Sequence, residues 1–99
     1  MRLAERSVLV LTSLAGGDRH GYGLIKDIES FSGVALSPGT LYGALARLEA
    51  DGFVQRLPAD DRRYPYRLTP EGRAALAERL AESARIARLG LERIALGGT

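Results

Sequence analysis

The side chains in this sequence best equipped for chemistry are hydroxyls and guanidinium groups, and they fall in three clusters. Ser37, Thr40 and Tyr42 stand within Ser37-Pro38-Gly39-Thr40-Leu41-Tyr42, with Arg47 one helical turn and a half further on. Arg62, Arg63 and Tyr64 form a second group, and Arg19 with His20 a third. Hydroxyl and guanidinium donors at the start of a helix suit the oxygens of a phosphate, because the helix's own amides and dipole favour an anion there. Other chemistries find little support. There is no cysteine, so thiolate chemistry, disulfides and Cys-based metal sites are excluded. His20 is the only histidine and has no carboxylate at a metal-motif spacing, so no metal site is expected. No Ser/His/Asp elbow and no Walker-type phosphate loop occurs, and Asp60-Asp61 sit on an expected loop tip where acid-base geometry would not hold. Catalytic residues and cofactors are therefore not expected.

The elements that must position these groups follow from periodicity. Ser37 can cap a helix, Pro38 fits its first turn, and Gly52 can take the left-handed residue that closes it. Within that helix Leu41, Leu45 and Leu48 recur at helical spacing and face a core. Gly39, Thr40, Gly43, Ala46, Arg47 and Ala50 make the opposite face low and nearly flat, suited to lying close against something broad. Gly43 costs about 0.5–1 kcal/mol of helix stability and offers no side chain for contact.

Before this helix the sequence predicts two others. From about Leu3 to Ala15 an inner row of Leu3, Val8, Leu11, Leu14 and Ala15 ends at Gly16-Gly17. From near Gly21 to Ser32-Gly33, Tyr22, Leu24, Ile25, Ile28 and Phe31 form the inner side and Lys26, Asp27, Glu29 and Ser30 the wet side. Val34-Ala35-Leu36 is a short extended link. After Gly52 the period becomes two. Phe53 to Leu57 and Tyr64 to Leu68 read as a hairpin whose charged tip holds Arg62 and Arg63, with Arg56 and Arg67 adding charge from the strands. Pro65 cannot donate to a ladder and is expected on an edge strand. Thr69 caps and Pro70 opens a last helix to about Leu96, and Gly97-Gly98-Thr99 is expected to fray.

The expected fold is mainly α with a small β-hairpin, a winged helix-turn-helix over residues 1–69 followed by a long helix over 70–97, together one compact unit. Along that helix Ala77, Leu80, Ala84, Ala87, Leu91 and Ile94 step at heptad-like spacing, and Leu76, Ile86, Leu89 and Leu96 widen the seam beyond what so small a domain can cover alone. Leu76, Leu80, Ala84, Ala87, Leu91 and Ile94 are the expected dimer-interface residues. A core built from 99 residues is modest, so a second copy is the expected occupant, although docking of a different protein fits the seam too. The formal net charge of +2 permits a polyanion without requiring one. Arginine supplies 13 of the 14 basic residues, although GC-rich coding produces the same bias. The apolar run Val8 to Leu11 is too short for a signal core or a membrane span, so a cytoplasmic protein is expected.

His20-Gly21-Tyr22-Gly23, then Ser37-Pro38-Gly39-Thr40-Leu41-Tyr42 with Leu45, Leu48-Glu49 and Gly52-Phe53-Val54, then Tyr66-Arg67-Leu68-Thr69-Pro70-Glu71-Gly72, resemble the PadR family of bacterial transcriptional regulators over about residues 5–75. The last helix resembles the family's shorter subgroup. The resemblance implies a homodimer, usually a repressor, that binds double-stranded DNA at an inverted repeat and is often released by a small ligand. Arg19, His20, Ser37, Pro38, Gly39, Thr40, Tyr42, Arg47, Arg62, Arg63 and Tyr64 are then the expected DNA-binding residues. Plainer alternatives stand beside these roles: Ser37 as a cap alone, Pro38 as a helix start alone, Tyr42 filling space at the core edge, His20 as packing, Arg47 paired with Asp51, and the tip as a solvated loop. Tyr22 is expected in the core. At the level of the whole chain the alternative is a winged-helix module that binds another protein, as adaptor or antagonist of a regulator.

Overall fold

Both ends of the central helix are fixed by hydrogen bonds that its sequence announces. In the computed structural model, which describes residues 3–97, helix α3 (Pro38–Ala50) begins where the Ser37 hydroxyl accepts from the Thr40 amide at 3.2 Å. It closes in a Schellman arrangement, with the Phe53 amide donating to Leu48 O at 2.9 Å and the Gly52 amide to Glu49 O at 3.0 Å. Gly52 has φ +81°, which a side chain would strain. Leu41, Ala44, Leu45 and Leu48 face inward.

Two helices pack beneath it. Helix α1 (Glu5–Ala15) and helix α2 (Gly21–Ser32) supply Val10, Leu11, Leu24 and Ile28 to the same core, none of them accessible to solvent. The buried Ser13 hydroxyl donates to Asp27 Oδ2 at 2.6 Å, which satisfies it inside the core. Asp27 is thus half-buried rather than turned to water as its place in the sequence suggested. Tyr22 and Phe31 depart from expectation in the other direction: Tyr22 is 65% exposed, and Phe31 also lies outside the core. The buried row of α2 is Gly21, Leu24 and Ile28, and a helix that centres its stripe there turns Tyr22 to the opposite side. Lys26 sits 5.5 Å from the Tyr22 ring centroid, one turn along.

The sheet has three strands, one more than the sequence reading. Strand β1 (Arg19–His20), strand β2 (Val54–Arg56) and strand β3 (Pro65–Leu68) lie in the order β1-β3-β2, all antiparallel. Strand β3 is therefore central, and the expectation of an edge for Pro65 fails. Pro65 is its first residue, opposite His20, where a missing donor is tolerated, and its carbonyl accepts from the Leu57 amide at 2.8 Å. Tyr66 and Leu68 close the core from above.

Helix α4 (Pro70–Gly97) is capped by Thr69, whose Oγ1 accepts from the Gly72 amide at 2.9 Å and donates to Gly52 O at 2.7 Å. Gly72 packs directly on the Phe53 carbonyl, so that a Cβ there would collide with rigid backbone. Gly72→Ala is expected to cost about 2–3 kcal/mol and to lower the thermal midpoint by roughly 10–20 °C, as read by a circular-dichroism melt. The Arg79 guanidinium ties α4 to the start of α1, donating to Leu3 O at 2.8 Å and lying 3.3 Å from the Glu5 carboxylate. Leu76, expected in the seam, is instead 5% exposed and belongs to this core, because it lies on the turn of α4 that still faces α1. From Ser83 to Gly97 every residue except Gly90 is exposed, and the molecule is drawn out to 55 × 25 × 20 Å. Gly97 is helical; Gly98 and Thr99, the rest of the expected frayed end, lie outside the described residues.

Candidate nucleic-acid interface

The exposed face of α3 carries Gly39, Gly43, Ala46, Arg47 and Ala50, with Tyr42 on one flank and Thr40 on the other. At its N-terminus the Ser37 hydroxyl lies 3.0 Å from Thr40 Oγ1, so the two hydroxyls are held together beside Pro38 and the first-turn amides. Ser37 both caps and stays exposed, which leaves its oxygen at the positive end of the helix. Arg47 forms no ion pair among the described residues: its expected alternative partner Asp51 meets it only through the backbone, the Asp51 amide donating to Arg47 O at 3.0 Å.

Strands β2 and β3 project a tip that is a tight turn rather than a loose loop. Asp60 and Arg63 bridge, with the Asp60 amide donating to Arg63 O at 2.6 Å and the Arg63 amide to Asp60 O at 3.1 Å. The two residues between them, Asp61 and Arg62, have φ of 53° and 69°. A two-residue turn with both φ positive twists with the strands and normally calls for Asn-Gly. Arginine in the left-handed region costs about 1 kcal/mol, so the tip gives up stability to hold a guanidinium at its apex.

Between this tip, the start of α2 and the Tyr42 flank of α3 lies a cavity of about 190 Å³, lined by His20, Gly21, Tyr22, Tyr42, Arg62, Arg63, Tyr64 and Tyr66. Five residues expected to act together from three separate stretches, His20, Tyr42, Arg62, Arg63 and Tyr64, thus meet around one space. His20 Nε2 is buried without a hydrogen-bond partner, and Asp60 Oδ2 stands 3.9 Å away. The Arg56 guanidinium lies over the Tyr64 ring, 4.6 Å from its centroid, and fixes that ring beside the tip. Burial pushes the Tyr66 hydroxyl above its ordinary pKa against the opposing effect of Arg56, keeping it a neutral donor. Gly21 approaches the Tyr42 hydroxyl so closely that a side chain at that position would have to displace the Tyr42 ring. The cavity is rich in donors and cations, and what it can do is hold an anion.

Arg19 leaves the expected set, and Arg67, expected only as supporting charge from its strand, is paired. Arg19 is turned inward, its Nε donating to Ser13 O at 3.1 Å and lying 3.6 Å from the Asp27 carboxylate. It joins α1 to α2, and a phosphate would have to displace those partners. Arg67, expected to add free positive charge, is held by Asp18 at 2.8 Å, which also raises its pKa and fixes it as a charged partner. Tyr22 and Tyr66 were missed as lining residues. A helical count from Leu24 and Ile28 would have found Tyr22; nothing local marks Tyr66.

Among the described residues no group of His, Asp or Glu is placed to hold a metal ion, and no helix is long and apolar enough to cross a membrane. Residues 10–78 match the model of the transcriptional regulator PadR-like family. The chain belongs to the PadR family. This PadR protein is 43% identical over 84 residues to a transcriptional regulator of Mycobacterium tuberculosis, with 79% of this chain and 78% of that protein covered. It is 46% identical over 86 residues to an uncharacterized 37.1 kDa protein in a Streptomyces fradiae transposon, covering 87% of this chain and 25% of that protein, so the chain spans a quarter of that relative's length. Among solved structures, a PadR family transcription regulator from Clostridium difficile R20291 superimposes with a TM-score of 0.82 at 25% identity, covering 92% of this chain and 99% of the other. The PadR-like family is one of transcriptional regulators, and the winged-helix fold of this PadR chain matches the expectation from its sequence.

Proposed function

We propose that this PadR regulator binds duplex DNA sequence-specifically as a homodimer at an inverted repeat and represses the genes it controls by occupying that site. The observation that carries the reading is the meeting of the α3 flank and the hairpin tip around one cavity, with Tyr42, His20, Arg62 and Arg63 all in its lining. In this arrangement α3 enters the major groove and the tip, as a wing, holds the backbone beside it. The small outer face of α3 lets the helix lie deep but leaves Arg47 as its one charged reader of bases. Affinity therefore comes mainly from phosphates. Homodimerisation is supported by the apolar residues of α4 left in solvent beyond Leu76, Leu80, Leu91 and Ile94 among them. Ala84 and Ala87 sit between them on exposed turns, where they would let two helices approach closely.

Selection of genomic fragments with the purified protein tests this directly. An enriched inverted repeat is expected, with binding that weakens by about 0.9 in log K per unit log salt for each phosphate held, and a reporter behind that repeat should be silenced. Failure to retain any duplex at low ionic strength, or a flat salt response, would overturn the reading.

Gly21 offers a finer check. An alanine there would push aside the Tyr42 ring, a movable side chain, while favouring helix α2 by up to about 1 kcal/mol. Gly21→Ala is expected to leave the melting temperature equal or higher and yet weaken DNA binding about threefold to tenfold, measured by fluorescence anisotropy.

A further inference from the structure

On the flank of α3 away from the wing, a groove of about 380 Å³ runs between α3 and the first turn of α1, and Arg6, Ser7, Gly39, Thr40, Gly43 and Arg47 line it. Helix α1 begins behind Ala4 with no side-chain cap, so the first-turn amides beside the groove have no acceptor within the helix and leave its positive end open. Ser7 supplies a second and independent sign. It is 5% exposed, lines the groove, and its hydroxyl has no hydrogen-bond partner among the described residues. A hydroxyl that lines the groove without a partner can donate to an acceptor brought into it. Arg6 and Arg47 are exposed on either side and form no ion pair among the described residues. The acid in the lining, Glu5, lies 3.3 Å from the Arg79 guanidinium and is partly offset by it.

The floor of the groove accounts for Gly43. A Cβ at Gly39 or Gly43 would meet nothing within 4 Å, so no packing contact explains why α3 carries two glycines at a cost of about 0.5–1 kcal/mol each. What they provide is depth, enough for a bulky anionic group to reach the Ser7 hydroxyl and the α1 amides.

We propose that this groove seats a backbone phosphodiester of the DNA strand opposite the one held by the wing, with Arg6 and Arg47 as the charged partners and Ser7 and the α1 amides as donors. The proposal rests on the DNA-binding reading above. A helix about 10–12 Å across, lying in a major groove about 12 Å wide, has a phosphate backbone on each side. The wing cavity with Tyr42 meets one backbone, and the groove with Thr40 and Arg47, on the other flank of α3, meets the second. Helix α3 is then clamped between two anion sites, which fixes its depth and tilt with little help from its own side chains.

The test uses the duplex recovered by fragment selection, with single phosphates replaced in turn by neutral methylphosphonates, against the full-length wild type and Arg6→Gln. The wild type is expected to lose affinity at one phosphate per half-site where Arg6→Gln loses none, while both remain equally sensitive at the wing-side phosphates. The salt slope of Arg6→Gln should be smaller by about one for each half-site. Ser7→Ala, which removes the hydroxyl without touching the charge, should weaken binding at that same phosphate alone. If wild type and Arg6→Gln share one sensitivity map, this proposal fails while DNA binding stands; if the wild type binds no duplex, the functional reading fails first. Inorganic phosphate, titrated while the Gly39 and Gly43 amides are followed by NMR, is expected to give no saturable shift. A saturable shift that leaves duplex binding unchanged would reassign the groove to a free anion and overturn the proposal.

Discussion

Leu91→Asp is expected to turn the proposed dimer into monomers without unfolding the winged helix. Leu91 is 69% exposed in the isolated chain, and Ile94 one turn further on is more exposed still, so neither contributes to the core that holds α1, α2 and α3 together. Burying side chains of this size is worth about 1.5–3 kcal/mol each, and a seam of several supplies most of the free energy of association. A carboxylate placed in that seam without a partner costs several kcal/mol in each subunit and removes the apolar packing as well. The proximal half of α4 stays docked through Leu76 and through Arg79 on Leu3 O, which is why the fold should survive. Sedimentation should report a monomer, and the thermal midpoint should lose its dependence on protein concentration. Binding to a full inverted repeat should fall by about 10²–10⁴ while binding to a half-site changes little, because only the linkage between two reading heads is gone. Leu76→Asp makes the contrast, since it places the charge in the chain's own core and should abolish the cooperative melt. An unchanged dimer in Leu91→Asp would remove the distal seam from the account of this protein.

The contrast between these two leucines also shows where sequence was sufficient. Helix α3 was legible to within a residue because its start and stop are written locally, in Ser37, Pro38 and Gly52, and because Leu41, Leu45 and Leu48 leave no choice of face. The seam of α4 was legible as a period, but a period does not say which of its members the chain uses for itself. Leu76 goes to the core because α4 crosses α1 there, a fact of tertiary packing. Strand β1 could not be read, since two residues show no alternation and their partner strand lies more than 40 residues away. Helix packing, rather than distance along the chain, hid the roles of Arg19 and Asp27, which meet at Ser13 only once α1 and α2 have packed. Tyr22 was different. Its aromatic character outweighed a helical count that already placed it outside, and the structure sides with the count.

At the hairpin tip, the double variant Arg62→Ala, Arg63→Ala is expected to lower the salt slope of DNA binding by about 1.8 for each half-site, since each arginine neutralises one phosphate. Affinity should fall alike for operator and unrelated duplex, because backbone contacts carry position rather than sequence. Taken alone, such a drop would not separate missing charge from a collapsed tip, and the backbone of Arg62 provides the separation. At φ 69° a glycine is unstrained where arginine is not, so Arg62→Gly should keep or improve the turn that Asp60 and Arg63 close. It should nevertheless bind DNA more weakly, with a slope smaller by about 0.9 for each half-site and a thermal midpoint no lower than wild type. A tip selected only to turn the chain would prefer that glycine, and its binding curve would not move. If Arg62→Gly binds as tightly as the wild type at every salt concentration, the left-handed arginine serves no ligand and the wing must be taken out of the interface.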